Sequence, residues 1–206
     1  MQISKIGCWL GAVASSGLLA ACGSGASKSA SAVPSATPTQ TTSAGALAAD
    51  AKSAATGDIP DSQNFLTLNA AQLRISMIYP EGWTVQEGTS GVSIQDKNNL
   101  VRINLSHGPA PTTASVRAQL AALKQSTPSL TVGSTHTIIL KSGPAVKATY
   151  TTQSAPNPVT GKQVTLTVDR YELAHGGRLA IVEEGTPVGV DNVDAYKRMI
   201  ASFKWQ

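Results

Sequence analysis

Leu73-Arg74-Ile75-Ser76-Met77-Ile78-Tyr79-Pro80-Glu81-Gly82-Trp83 decides the fold class of this 206-residue chain. Leu73, Ile75, Met77 and Tyr79 alternate with Arg74 and Ser76. A period of two puts the apolar set on one face, so the stretch reads as a half-buried β-strand. Pro80-Glu81-Gly82 then turns the chain, and Trp83-Thr84-Val85 resumes an extended run. Beyond it, residues 92–95 and 100–106 flank Asp96-Lys97-Asn98-Asn99. Asn and Asp tolerate the dihedrals of a tight turn, so these two runs form a hairpin.

The period changes at residues 112–125. Val116, Leu120 and Leu123 recur at helical spacing, Thr112 or Thr113 can cap the start, and Pro128 follows the end. That is an amphipathic helix, able to cover one sheet face. Extended runs return at residues 135–140, 145–153, 163–174 and 178–184. His175-Gly176-Gly177-Arg178 joins the last two, and paired glycines supply the positive φ of a tight hairpin. Asn157-Pro158-Val159-Thr160-Gly161 is a further turn. A closing helix is expected from about Asp191 to Phe203, with Asp191 as N-cap and Asp194 in the first turn. Val193, Tyr196, Ile200 and Phe203 would form its buried stripe, with Met199 beside it. Hairpin-joined strands and two packing helices define an α+β fold: a mainly antiparallel β-sheet flanked by helices.

Upstream lies an address. Lys5, an apolar stretch at residues 6–18 and Leu19-Ala20-Ala21-Cys22 have the layout of a secretory signal ending in a bacterial lipobox. Residues 1–21 are then a lipoprotein signal peptide, and Cys22 is the lipidated N-terminus of the mature chain. Residues 6–21 are broken by three glycines and two serines and fall short of the roughly 20 apolar residues a bilayer span needs. Residues 22–57 follow as lipidated Cys and tether. They are almost all Ser, Ala, Thr, Gly and Pro, a composition that cannot bury enough surface to offset its ordering entropy. As flexible coil, 35 residues span roughly 30–35 Å. Residues 58–206 make one domain.

The two cysteines are Cys8, in the signal, and Cys22. The mature chain can therefore form no internal disulfide, and thiol catalysis, cysteine-based zinc sites and iron–sulfur clusters are excluded. The domain carries 13 Lys and Arg against 11 Asp and Glu, a net +2, without a basic cluster. Nucleic acid is not an expected partner.

Tyr79-Pro80-Glu81-Gly82-Trp83 resembles the YP-x-GW strand-to-turn element of the superfamily that includes the photosystem protein PsbP and the nuclear-transport factor Mog1. The strand from Gly177 to Glu183 and the closing Ser202-Phe203-Lys204-Trp205 match the same pattern at the other end. With signal, lipobox and tether in front, the chain is similar to the actinobacterial LpqN/LpqT lipoprotein type. The resemblance spans about residues 65–206. It implies a PsbP/Mog1-like sandwich and accessory or binding roles, and it carries over no catalytic residue.

His107, His136 and His175 fall in three different elements, with neither metal-ligand spacing nor a nucleophile motif. No metal and no cofactor is expected. Glu183-Glu184 sit next to each other at a strand end, where successive side chains point to opposite faces. They read as edge carboxylates, solvated or paired with Arg170 or Arg178. Asp191 and Asp194 suit helix capping better than calcium, since no oxygen-rich loop surrounds them. In Asp169-Arg170-Tyr171-Glu172, the face shared by Val164, Leu166 and Val168 turns charged at Arg170 and Glu172. Those two are the candidate recognition patch, weighed against a strand emerging from under its covering helix. Trp83 and Trp205 read as core or rim aromatics.

The expected protein is not an enzyme, because no nucleophile–base pair or metal cluster can be named. It is a lipid-anchored envelope lipoprotein on the extracytoplasmic face of the cell membrane. Its domain engages another envelope component. The alternative is a carrier of an apolar small molecule or lipid held between sheet and helix, with a hydrolase the weakest reading.

Overall fold

Residues 56–157 and 159–206 are described in the computed structural model. The signal peptide, Cys22 and all but the last two residues of the expected tether lie outside the described residues. In chain order the elements are β1 (Phe65–Ala70), a 3-10 turn (Ala71–Leu73), β2 (Ile75–Pro80), β3 (Thr84–Glu87), β4 (Gly91–Asp96) and β5 (Asn99–His107). They continue with α1 (Thr113–Ser126), β6 (Thr131–Leu140), β7 (Gly143–Gln153), β8 (Thr165–His175), β9 (Arg178–Pro187), α2 (Val193–Ser202) and β10 (Lys204–Trp205).

The strands form two antiparallel sheets, one ordered β1-β2-β10 and the other β3-β4-β5-β9-β8-β7-β6. The large sheet is two hairpin series joined where β5 pairs with β9, which makes β9 an interior strand. One face of it carries Val92, Ile94, Val101, Ile103, Leu173 and Val182. These pack with Ile75 and Met77 of β2 and with Tyr196, Met199, Ile200 and Phe203 from the closing segment. On the other face, Val146, Ala148, Tyr150, Leu166 and Val168 pack under Val116 and Leu120 of α1, forming a second core. The described residues include no cysteine, so these two apolar layers hold the sandwich together.

Local chemistry explains the boundaries. Thr112 caps α1: its hydroxyl accepts from the Ser115 amide at 3.0 Å while the Ser115 hydroxyl accepts from the Thr112 amide at 2.9 Å. Gly176 and Gly177 at φ 57° and 75° close the β8–β9 hairpin with His175 paired to Arg178. That pairing fixes the register of both strands.

Four details depart from the sequence reading. Leu73 ends the 3-10 turn instead of starting the strand, because Arg74 adopts the left-handed region at φ 51°. Two strands that periodicity does not announce, β1 and β10, flank β2 on its two edges. Val193, expected in the buried stripe, is 56% exposed at the start of α2. Asn192, not Asp191, precedes α2 as its N-cap residue, and its side chain makes no capping bond. Its amide is spent instead on Gly57, Asn99 and Thr186, while Asp191 Oδ1 accepts from the Val193 amide at 3.3 Å.

Candidate functional site

The β8–β9 hairpin delivers charge to both faces of the large sheet. Its register sets Arg170 opposite Glu183 and Asp169 opposite Glu184. Since neighbours along a strand point to opposite faces, one pair goes under α1 and the other toward α2.

Under α1 the charges complete one another. Arg170 donates from Nε to Glu172 and from an Nη to Glu183, each at 2.8 Å, and to Gln119 Oε1 of α1 at 2.8 Å. Gln119 in turn donates to Glu172 at 3.2 Å, and the Tyr150 hydroxyl donates to Glu183 at 2.9 Å. Arg102 adds a looser contact to Glu183 at 3.6 Å. Burial works against the Arg170 charge, but Glu172 and Glu183 more than offset it and hold the guanidinium above its ordinary range. Burial, then the Glu183 charge, pushes the Tyr150 phenol up, so it stays a donor. Arg170 is 8% exposed and Glu172 is fully buried. The two residues singled out as a recognition patch therefore lie beneath α1 and present no charge to a partner at the surface. Gln119, on the polar side of the helix stripe, is the residue that closes over them.

The opposite face is different. Asp169 is occupied: Lys147 Nζ lies 2.7 Å from Oδ2, Thr149 donates to Oδ1 at 3.0 Å, and the Tyr171 hydroxyl reaches Oδ2 at 3.5 Å. Lys147 Nζ also stands 5.3 Å from the centroid of the Tyr171 ring. Glu184, directly across the ladder, is 1% exposed, and neither of its oxygens has a hydrogen-bond partner. Burial, reinforced by the Asp169 charge and only partly countered by Lys147, pushes its carboxyl well above the ordinary 4.5. The Tyr196 phenol is also raised, first by burial and then by the Glu184 charge, and donates to the Gly185 carbonyl at 2.7 Å.

These groups border a cleft between the sheet and α2 that encloses about 460 Å³, including the open space at its mouth. Thr167, Asp169 and Tyr171 of β8 and Glu184 and Thr186 of β9 line the sheet side. Asn192, Val193, Tyr196 and Lys197 line the helix side, with Lys147 of β7 at one end. The exposure of Val193 is thereby accounted for: it stands at the cleft and not in the core.

The sequence placed Glu183 and Glu184 on opposite faces, and they are so placed, but not at a solvated edge. β9 is interior, Glu183 is 7% exposed, and Arg178 goes elsewhere, to the carbonyls of Leu73 and Arg74. The cleft residues Lys147, Tyr171 and Tyr196 were not singled out as a site. The hairpin register was the usable signal, since a His175–Arg178 closure already sets Asp169 against Glu184. His107, His136 and His175 are all exposed and lie in separate elements, and among the described residues no cluster of three metal-ligating side chains forms. His175 stacks on Trp205, with ring centroids 6.1 Å apart, while Arg178 covers the same indole at 4.9 Å. Trp83 packs half-buried against the main core.

No protein-family model matches the chain, and no curated protein matches it in sequence. Solved structures do. The solution structure of cyanobacterial PsbP (CyanoP) from Synechocystis sp. PCC 6803 is similar with a TM-score of 0.51 at 11% identity, over 73% of this chain and 98% of that one. The Saccharomyces cerevisiae Ran-binding protein Mog1p is similar at 8% identity and a TM-score of 0.48, over 69% of this chain and 95% of that one. A Bacteroides thetaiotaomicron protein is similar at 15% identity and a TM-score of 0.42, over 68% and 48%. At such identities the likeness concerns architecture alone. The domain has a PsbP-like α+β fold.

Proposed function

We propose that this chain is a lipid-anchored lipoprotein of the bacterial cell envelope, of the LpqN/LpqT type, whose domain binds another envelope component and performs no catalysis. The observation that carries the binding reading is Glu184. A carboxyl group withdrawn from solvent beside a cleft, with both oxygens unsatisfied, is costly to keep. Buried polar atoms are nearly always paired within a fold, and the Arg170 cluster on the other face shows this chain doing so. An exception at a cleft is the mark of a group reserved for something outside the chain.

The anchor rests on Lys5, the apolar stretch after it and Leu19-Ala20-Ala21-Cys22. A carrier of a small molecule is the second reading, favoured by the position of the cleft between sheet and helix. Its lining includes Lys147, Asp169, Glu184 and Lys197, which suits a cargo with a polar head better than a wholly apolar one. Crosslinking in intact cells with Cys22 in place separates the two. Covalent capture of one envelope protein supports the partner reading, and a molecule retained on extraction of the purified protein supports the carrier. Cys22→Ala should move the chain out of the membrane fraction and abolish fatty-acid labelling. Unchanged fractionation and labelling would refute the anchor.

A further inference from the structure

The tyrosine, lysine and asparagine donors of the cleft are engaged elsewhere. Tyr196 gives its hydroxyl hydrogen to the Gly185 carbonyl, and Tyr171 reaches Asp169. Lys147 sits on Asp169, and Lys197, at the rim of the cleft, pairs with Asp194. Asn192 Nδ2 is committed to Gly57, Asn99 and Thr186. Across the ladder on the β5 side stands Val101, which offers nothing. The site is thus an acceptor awaiting N–H donors, flanked by two phenol rings. We propose that the cleft between β8, β9 and α2 is a binding site for a small organic cation bearing N–H donors, an alkylammonium or alkylguanidinium head, received by the Glu184 carboxylate and walled by Tyr171 and Tyr196.

Charge accounting favours a cation. Asp169 is already neutralised by Lys147 at 2.7 Å, so Glu184, once ionised, is the group left without a counter-charge. Aromatic faces attract cations, and Lys147 already stands 5.3 Å over Tyr171. The apolar stem of such a ligand would run past Val193, the exposed aliphatic side chain at the cleft. Proton balance follows. Burial and Asp169 favour the protonated carboxyl in the free protein, with Lys147 opposing. An arriving cation pairs with the carboxylate, and the carboxyl proton leaves to the buffer. Binding therefore strengthens as pH rises, by up to about tenfold per unit while Glu184 is protonated in the free state.

This site deepens the binding reading above and rests on it, yet the two are tested apart, because calorimetry on the cleft does not depend on the anchor. The full chain in a neutral detergent is titrated with butylammonium and butylguanidinium. Expected are saturable binding, proton release scaling with buffer ionisation heat, and at least about tenfold weaker binding to Glu184→Gln. Tetramethylammonium, a cation without N–H donors, should bind far more weakly. Ethanolamine phospholipids carry the same head group as free amines. Displacement of butylammonium by a soluble short-chain phosphatidylethanolamine, but not by the choline analogue, assigns the head to a lipid, and no displacement by either assigns it to a free amine. Absence of binding, equal binding by Glu184→Gln, or tetramethylammonium binding as tightly as butylammonium overturns the proposal. The tetramethylammonium arm uses the unaltered protein and so stands even if the variant folds poorly.

Discussion

Arg170 reaches Glu172, Glu183 and Gln119 at 2.8 Å each while only 8% exposed. A buried charge of this kind is worth little against a well-packed apolar substitute, but removing one partner strands the others. Arg170→Leu leaves buried Glu172 uncompensated and Glu183 with only the 3.6 Å contact to Arg102, and denaturant unfolding should show a loss of about 3–5 kcal/mol. A loss near zero would mean that Arg102 or solvent takes over the pairing. Glu184 behaves in the reverse sense. Its carboxyl is raised in the folded protein above the ordinary 4.5, so the native state holds a proton that the unfolded chain releases. Stability from this group is whole below pH 4.5 and is lost as pH climbs from there through the raised value. Glu184→Gln, which mimics the protonated form, should flatten that decline in a series of thermal melts from pH 4.5 to 8. A variant curve parallel to the wild-type one would assign the decline to other groups. The Arg170–Glu183 pairing was legible in the sequence, because two glycines at a hairpin tip set the register. The burial of Glu184 was not, since it depends on β5, about eighty residues away, pairing beside β9 and on α2 packing over that face.

Elements with their own periodicity were readable, and those that exist only through a neighbour were not. α1 was announced by Val116, Leu120 and its Thr cap, and β4, β5, β8 and β9 by alternation and turn chemistry. β10 is two residues long and is a strand because Ser76 and Ile75 of β2 offer a free edge. β1 likewise gains its identity from pairing with β2, from Phe65 against Pro80 to Ala70 against Ile75. For α2 the stripe was right in its middle and wrong at its start. Tyr196, Met199 and Ile200 are buried, as is Phe203 just past the last turn, while Val193 stands at the cleft. Phe203 packs edge-on against Trp205, with ring centroids 5.3 Å apart at 89°. Phe203→Ala should destabilise the domain by about 3–5 kcal/mol, whereas the exposed Lys204→Ala and Val193→Ala should leave the melting curve nearly unchanged. A silent Phe203→Ala would remove the closing segment from the core.

At the scale of the whole molecule, the question is where the domain begins. Composition put the change from tether to domain between residues 57 and 58. The packed structure reaches one residue further back. Gly57 is buried, and its carbonyl accepts from the amides of both Asn99 and Asn192, which are themselves bonded to each other and to Thr186. Ile59 closes the loop by donating its backbone amide to Asn192 Oδ1 at 2.8 Å. This knot ties the start of the domain to β5, to β9 and to the residue before α2, and it forms part of the cleft wall through Asn192 and Thr186. No composition rule sees it, because glycine belongs to the linker alphabet and the partners lie 42 and 135 residues away. A chain starting at Asp58 loses the acceptor and leaves at least the Asn99 amide buried without one, at a cost of about 1–3 kcal/mol. For a domain of this size that is a fall in Tm of roughly 2–12 °C. A chain starting at Thr56 keeps the carbonyl and should melt with one starting at Gly23, if the intervening residues are tether alone. Equal melting of the Asp58 and Thr56 chains would place the knot outside the cooperative fold. Coincidence of Thr56 and Gly23 with a drop at Asp58 would make Gly57 the first residue whose backbone the fold requires.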